Sequence, residues 1–381
     1  MCGIVGYIGQ NDTAKSVVIE GLTRLEYRGY DSAGISIKTK DGFKTIKTTG
    51  GVDNLYEILP EDLDSGNIAI GHTRWATHGA PSEANAHPHV SMHGTISLVH
   101  NGIIENYETL KTQLIKEGYK FKSETDSEVL VNWIEFHYNR NYSEHENDLS
   151  NAIRLALRDV VGAYAILVTE THYNQMIAVR KSSPLCIGIG DGEYVVASDA
   201  TPIIGHTRDI IYLEDDQMAV ISLDGGLAGN PDIHILDVEN QTVPLDVEKV
   251  TMELESIEKG GYDTFMLKEI FEQPNAISNT IRGRLTLSAE DDLMMGGVEN
   301  VMPQLLRAQK IFIIACGTSW HAALIGKTII ETLCRIPVEV DYASEFRYRK
   351  PIIKQGDVLM SISQSGETAD TKAAMEMAKE K

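Results

Sequence analysis

Residues 1–10 read MCGIVGYIGQ, and Cys2 is the residue to explain. Chain ends fray and rarely contribute packing, so a thiol directly behind the initiator methionine is a poor structural choice. Removal of Met1 would leave Cys2 first, with a thiol and a free α-amine a few bonds apart. A free cysteine has a pKa near 8.5, so only a few per cent is thiolate at neutral pH and the nucleophile needs a base. An α-amine titrates near 7.7–8.0 against about 10.4 for lysine. At pH 7 its neutral fraction is on the order of 10%, a few hundred-fold above lysine's. The leading residue would then hold nucleophile and base together, the logic known for N-terminal threonine. Cys2 alone fits a blocked or idle terminus equally well, so other segments decide.

Three of them supply complementary groups. HTRWATHG, residues 72–79, follows the strand IAIG and crowds Arg74, Trp75, Thr77 and His78 into a turn that ends on glycine. Arginine's planar fork suits a carboxylate. HNGIIEN, residues 100–106, follows the strand ISLV. There Asn101 offers an amide donor and Gly102 a backbone N–H that can approach closely, a pair suited to an oxyanion hole. In SETDSEVL, residues 123–130, Asp126 can face an ammonium group or cap a helix. Thiol, base, oxyanion donors, carboxylate binder and ammonium binder together suit an α-amino acid with a side-chain carbonyl. Glutamine hydrolysis through a thioester fits that set. His72, His78, His87, His89, His93 and His100 crowd the same region, but no pair has HExxH spacing and no cysteine is near in sequence, so no metal is expected.

Beyond the front end, GIVGYI, AGISIK, FKTIKT, IAIGHTR and ISLVHNG read as strands. DTAKSVVIEGLTRLEYRG reads as a helix, with Asp12 or Thr13 as N-cap and Val18, Leu22 and Leu25 on one face. Helices are expected over 105–117, 126–139 and 147–159, then mostly strands over 162–236. Strands in runs with helices elsewhere point to a layered α+β domain. The polar, acidic stretch from 238 lacks a period and reads as a linker. FMLKEIFEQPNAISNTIRG is helical in pattern, although Pro274 should start or kink the helix. After about 308 the pattern becomes βαβα, with KIFIIACG, PVEVDYA and DVLMSIS as apolar strands, which implies a parallel sheet.

In this rear part ACGTSWHA (315–322) and SISQSGETAD (361–370) each join a strand to a helix and are dense in hydroxyls. Hydroxyls and N–H groups at a helix start make an anion pocket. Neither loop carries a lysine, which suits one sugar phosphate better than a triphosphate. Gly326-Lys327-Thr328 is no P-loop, since His321 stands where the motif needs its first glycine. SQSG does not match GxSxG.

Bulk properties narrow the setting. Of 381 residues 42% are hydrophobic, enough for two or three domains, and no apolar run approaches membrane-spanning length. Thirty-four basic against 55 acidic residues give a net charge of −21, which repels nucleic acid and anionic membranes. The start lacks a basic n-region, so a cytoplasmic location is expected. Cys2, Cys186, Cys316 and Cys334 form no CxxC and read as reduced, with Cys186 and Cys334 as core residues.

MCGIVGYIG, EYRGYDSAG, HTRWATHG, NAHPH, HNGIIEN and SETDSE, in that order, closely resemble the class II glutamine amidotransferases, which are N-terminal-nucleophile hydrolases. The resemblance implies a four-layer αββα sandwich over 1–237. It implies Cys2 as nucleophile and its amine as base, and Asn101 and Gly102 as oxyanion hole. Arg74 and Asp126 would hold the α-carboxylate and α-amine of glutamine, Trp75, Thr77 and His78 would line the pocket, and Arg28 would support the cysteine loop. CGTS, ASEFRYRK and SQSGETADT resemble sugar isomerase (SIS) domains. That implies an α/β, flavodoxin-like parallel sheet over 286–381 behind a linker at 238–285. Thr318, Ser319, Ser363, Gln364, Ser365 and Thr368 would contact the sugar phosphate. Trp320 departs from the residue common there. FMLKEIFEQP resembles the joint in aminotransferases that couple both halves. This implies glutamine and fructose 6-phosphate as substrates, glucosamine 6-phosphate as product, no cofactor or metal, and a homodimer at full length. The family pattern continues into a second SIS domain that carries the Schiff-base lysine. The rear sheet therefore reads as incomplete, and a chain of this extent is expected to keep at most the glutaminase step. A phosphoribosylamine-forming amidotransferase, or a sugar-phosphate-binding regulator with an idle glutaminase fold, is the rival.

Overall fold

The computed structural model describes residues 2–381 except 61–62, 76–78, 141–148, 224–231, 238, 251–260, 263, 283, 285–295, 365 and 367. The chain divides into two compact units, Met1–Gly260 and Gly261–Lys381.

The first unit starts with β1 (Gly3–Gly9), α1 (Ala14–Leu25), β2 (Ser32–Thr39), β3 (Gly42–Thr49), α2 (Val52–Ile58) and β4 (Ile68–Arg74). Next come β5 (His89–Val90), β6 (Ile96–Ile104), α3 (Tyr107–Lys116), α4 (Asp126–Arg140) and α5 (Leu149–Arg158). Strands then dominate: β7 (Gly162–Glu170), β8 (Gln175–Lys181), β9 (Cys186–Ile189), β10 (Glu193–Ala197), β11 (Asp209–Tyr212), β12 (Met218–Ser222), β13 (Asp232–Leu236), β14 (Thr242–Val243) and β15 (Glu248–Lys249). They form two antiparallel sheets, one in the order β15-β11-β9-β10-β1-β4-β2-β3 and one in the order β14-β13-β12-β8-β7-β6-β5.

Period-two alternation sorts the strand residues into layers. In β1, Ile4 and Ile8 join Ile68 and Ile70 of β4, Val99 of β6 and Leu167 of β7 in an apolar layer between the sheets. Val5 and Tyr7 point the other way and pack with Val18, Leu22 and Leu25 of α1 and Leu55 of α2. On the far face of the second sheet, Leu98, Ile166 and Val168 pack with Leu114, Val129, Trp133 and Ile153 of α3, α4 and α5. Strands buried on both faces read as near-continuous apolar runs, and the result is the αββα sandwich.

Local details depart from expectation. Thr13 stands at the N-cap of α1, but its hydroxyl donates to Tyr7 Oη at 3.0 Å rather than capping the helix. Strands β14 and β15 lie within the stretch read as linker and pair with β13 and β11. Two residues at a sheet edge suffice for pairing and are too few to show a period.

The second unit opens with α6 (Phe265–Ile281), capped where Thr264 Oγ1 accepts the Leu267 N–H at 3.2 Å. The helix runs through Pro274, at the loss of that residue's N–H bond. A short turn, α7 (Met302–Leu305), precedes β16 (Ile311–Ala315), α8 (Thr318–Leu333), β17 (Val338–Tyr342), α9 (Ala343–Tyr348), β18 (Val358–Ile362) and α10 (Ala369–Lys379). The strands form a parallel sheet ordered β17-β16-β18. That is the order with which a flavodoxin-like sheet begins. Cys186 is buried as expected, whereas Cys334 is exposed. It stands at the C-cap of α8, whose only buried residue among those described is Ala323. An apolar pattern gives the helix but not which of its faces is covered.

Candidate active site

The alternation that builds the intersheet layer of the first unit also builds its polar rim. In β4 the even residues Ile68 and Ile70 face the second sheet. His72 and Arg74 continue that face. In β6 Val99 faces the first sheet, and Asn101 continues it. Register pairs Ile4 with His72 and Gly3 with Thr73, so Cys2 arrives beside the end of β4.

At this rim the Trp75 N–H donates to Cys2 Sγ at 3.2 Å, and the thiol lies 3.5 Å from the Trp75 carbonyl. Asn101 Nδ2 donates to the Cys2 carbonyl at 3.1 Å. Burial pushes the Cys2 thiol up from its ordinary value, against the Trp75 N–H and the Arg74 cation, which lower it. The thiol is therefore the resting form, and a nearby base is needed to activate it. Gly102 has φ +134°, and a Cβ there would lie 2.0 Å from the Ala163 carbonyl oxygen. Only glycine fits that backbone and that approach.

Arg74 is buried, and one guanidinium N–H donates to the Gly79 carbonyl at 3.3 Å. Burial lowers its pKa; the charges of Cys2, Asp126 and Asp31 oppose that. Asp126 opens α4, is buried, and accepts the Ile104 N–H at 2.8 Å. It thereby fastens the end of β6 while keeping a carboxylate within electrostatic reach of Arg74. Trp75 is exposed and meets Tyr30 edge to face at 5.6 Å. Thr77 and His78 lie outside the described residues, as does the side chain of Arg28, which ends the turn Glu26–Arg28.

Sequence reasoning treated His72, His87, His89 and His100 only as metal candidates. The structure stacks His72 on His87 at 4.2 Å and sets His89 edge-on to His87 at 4.8 Å. Among the described residues no group of three or more His, Cys, Asp or Glu could hold a metal. His72 Nε2 instead lies 2.9 Å from Asn101 Oδ1.

The buried imidazoles have a consequence for stability. Burial lowers the pKa of His72 to about 3 and takes His87 and His89 well below the ordinary 6.5. The folded unit keeps all three neutral, while an unfolded chain protonates them below about pH 6.5. The unfolded state then binds more protons, so this contribution is full above pH 6.5 and declines as the pH falls toward the folded-state values. For His72 the loss is about 2 kcal/mol between pH 7 and pH 5, and His87 and His89 act in the same direction. The urea midpoint of the first unit should drop across that interval; one that holds or rises contradicts the burial of these rings.

The second unit brings its two hydroxyl-rich loops together. Ala315 pairs with Ile362, so the carboxyl ends of the adjacent strands β16 and β18 are level. The chain leaves β16 toward β17 on one side and returns to β18 on the other, which makes a switch point where α/β sheets bind ligands. Thr318 and Ser319 open α8 behind Gly317, whose φ is +59°. Across from them Ser363 Oγ and Thr368 Oγ1 are 3.1 Å apart, and the Gly366 N–H donates to Ser363 Oγ at 3.0 Å. Gln364 is exposed and Ser365 lies outside the described residues. Trp320 stacks on Tyr342 at 4.4 Å.

Comparisons with known proteins agree with this division. The model of a glutamine amidotransferase domain matches residues 72–204, and that of an SIS domain matches 304–381. Among curated relatives, glutamine–fructose-6-phosphate aminotransferase (isomerizing) of Bacteroides thetaiotaomicron is 51% identical over 381 residues, 100% of this chain and 60% of its own length. The protein of the same name from Chlorobaculum tepidum is 49% identical, with 100% of this chain and 61% of its own covered. That of Methanosarcina acetivorans is 45% identical, with 98% and 60% covered. Among solved structures, glutamine phosphoribosylpyrophosphate amidotransferase of B. subtilis aligns with a TM-score of 0.51 at 22% identity, covering 96% of this chain and 69% of its own. An allosteric regulatory enzyme of purine biosynthesis gives 0.56 at 20%, with 97% and 91% covered. These two speak to fold alone. The chain spans about three fifths of the length of the curated relatives it matches. With an amidotransferase domain followed by SIS-domain sequence, the chain is similar along its whole extent, at 45–51% identity, to glutamine–fructose-6-phosphate aminotransferases.

Proposed function

We propose that the first unit hydrolyses glutamine at Cys2 and that, in the whole protein, the ammonia released aminates fructose 6-phosphate to glucosamine 6-phosphate. Residues 1–237 form the glutaminase part, 238–285 the connection and 286–381 the start of the isomerase part. The observation that carries the reading is one meeting of groups. Cys2 Sγ sits under the Trp75 N–H, and Asn101 Nδ2 reaches the Cys2 carbonyl, beside buried Arg74 and Asp126.

In this mechanism Met1 is absent and the free amine of Cys2 takes the thiol proton. The thiolate adds to the side-chain carbonyl carbon of glutamine. Asn101 Nδ2 has two N–H bonds; one is engaged by the Cys2 carbonyl, and the other meets the developing oxyanion with the Gly102 N–H. The intermediate collapses with protonation of the leaving nitrogen as ammonia, and water then cleaves the thioester to glutamate. Arg74 and Asp126 hold the α-carboxylate and α-ammonium, Trp75, Thr77 and His78 line the pocket, and Arg28 steadies the cysteine loop. Thr318, Ser319, Ser363, Gln364, Ser365 and Thr368 receive the sugar phosphate at the switch point. No helix among the described residues is long and apolar enough to cross a membrane. On this reading the whole protein works in the cytoplasm as a homodimer.

Two measurements on the 381-residue chain test the reading. Glutamine should yield glutamate, and iodoacetamide should stop the reaction by labelling Cys2, located by peptide mass spectrometry. A folded chain that releases no glutamate sinks the glutaminase part. Fructose 6-phosphate should bind saturably where phosphoribosyl pyrophosphate does not; the reverse preference replaces the acceptor.

A further inference from the structure

The buried imidazole behind the oxyanion donors has a defined protonation pattern. Asn101 Nδ2 must face the Cys2 carbonyl, 3.1 Å away, because that oxygen can only accept. Asn101 Oδ1 therefore faces His72 Nε2 at 2.9 Å, and the same nitrogen lies 3.1 Å from the His100 carbonyl. Both neighbours are acceptors, so Nε2 carries the proton and shares it between them. Were the proton on Nδ1, three lone pairs would converge in a site closed to water.

The ring is itself fixed. It stacks on His87 at 4.2 Å with planes 19° apart. His87 Nδ1 accepts the His100 N–H at 3.2 Å, and His89, edge-on to His87, lies 3.0 Å from Thr125 Oγ1. The Asn101 amide could otherwise rotate by half a turn and present its oxygen, an acceptor, to the developing negative charge.

We infer that His72 is a positioning residue for glutamine hydrolysis: its Nε2–H locks the Asn101 amide so that Nδ2 faces Cys2 and the substrate oxygen. The inference rests on the glutaminase reading. His72 touches neither nucleophile nor substrate, and its effect runs through Asn101.

Glutaminase kinetics of the 381-residue chain test it, with His72→Met, His72→Gln, Asn101→Ala and the double variant His72→Met/Asn101→Ala. Methionine keeps the bulk and loses the donor; glutamine can place an amide N–H near the position of Nε2. His72→Met should lower kcat about 10–100-fold with KM little changed, because a misplaced donor costs the transition state more than the ground state. His72→Gln should stay within about fivefold of the parent, since it retains the donor. In the Asn101→Ala background His72→Met should cost nothing more, as expected of residues that act as a unit. Alkylation of Cys2 by iodoacetamide, which needs no oxyanion hole, should proceed at the parent rate in all of them.

An unchanged kcat in His72→Met, or losses that simply multiply in the double variant, overturns the assignment. If His72→Met does not fold, His72→Gln decides, and a loss as large as that of Asn101→Ala refutes it. Full activity of Asn101→Ala removes the oxyanion-hole role and this inference with it, whereas impaired Asn101→Ala beside unaffected His72→Met removes this inference alone.

Discussion

Cys2→Ala should abolish glutamate release from glutamine, by at least about 10⁴-fold, and leave the fold intact. Removing a covalent nucleophile deletes the pathway rather than weakening it, so what remains is the small rate that oxyanion donors and binding can supply to water attack. The substitution is mild for the structure. Cys2 precedes β1, and among the described residues its sulfur has only backbone partners, at Trp75. The loss should therefore appear in kcat, with an unchanged unfolding midpoint and glutamine still bound through Arg74 and Asp126. Isothermal titration with glutamine separates the two effects. Wild-type turnover in Cys2→Ala would mean that another group attacks the amide.

A residue retained ahead of Cys2 should have nearly as large an effect, about 10²–10⁴-fold, the usual worth of a positioned general base. The chemistry is a single change of bond type: the amine becomes an amide, whose nitrogen lone pair is delocalised and cannot take the thiol proton. The environment of the sulfur makes that base matter, because burial raises the pKa of Cys2 and leaves it mostly protonated near neutrality. Intact mass measurement paired with turnover tests this, using chains in which an added residue blocks processing. Such chains should still be alkylated at Cys2 at alkaline pH, where the thiol ionises without help. Normal glutaminase turnover by an extended chain would show that the base lies elsewhere.

How much of the site could be read from the chain depended on whether its cause was local. Cys2, Arg74, Asn101, Gly102 and Asp126 stood out because each sits where a strand, turn or helix begins or ends, next to residues with compatible chemistry. Apolar runs such as GIVGYI and ISLV marked the strands of a layered α+β unit, whereas the order of its four layers came only from the resemblance to N-terminal-nucleophile hydrolases. His72 escaped because its meaning is set by Asn101 Oδ1 and the His100 carbonyl, which only the pairing of layers brings near. A signal was present nonetheless: in IAIGHTR it keeps step with Ile68 and Ile70, and so shares the buried face. Strands β14 and β15 were missed because two residues cannot show alternation. Cys334 was misplaced because periodicity reports an apolar face without naming what covers it.

The rim of the first unit is a matter of parity. Cys2 and His72 meet Asn101 because all three lie two residues from an inward-facing Ile4, Ile70 or Val99. A one-residue change inside β4 ahead of His72 would exchange the two faces beyond it, a deletion handing the place of His72 to Thr73 and an insertion handing it to Gly71. A change of two would preserve the faces and slide the polar end along its neighbours by about 7 Å. The length of each strand between core and rim is therefore quantised, and drift by small insertions is closed to this part of the chain, while the connecting loops remain open to it.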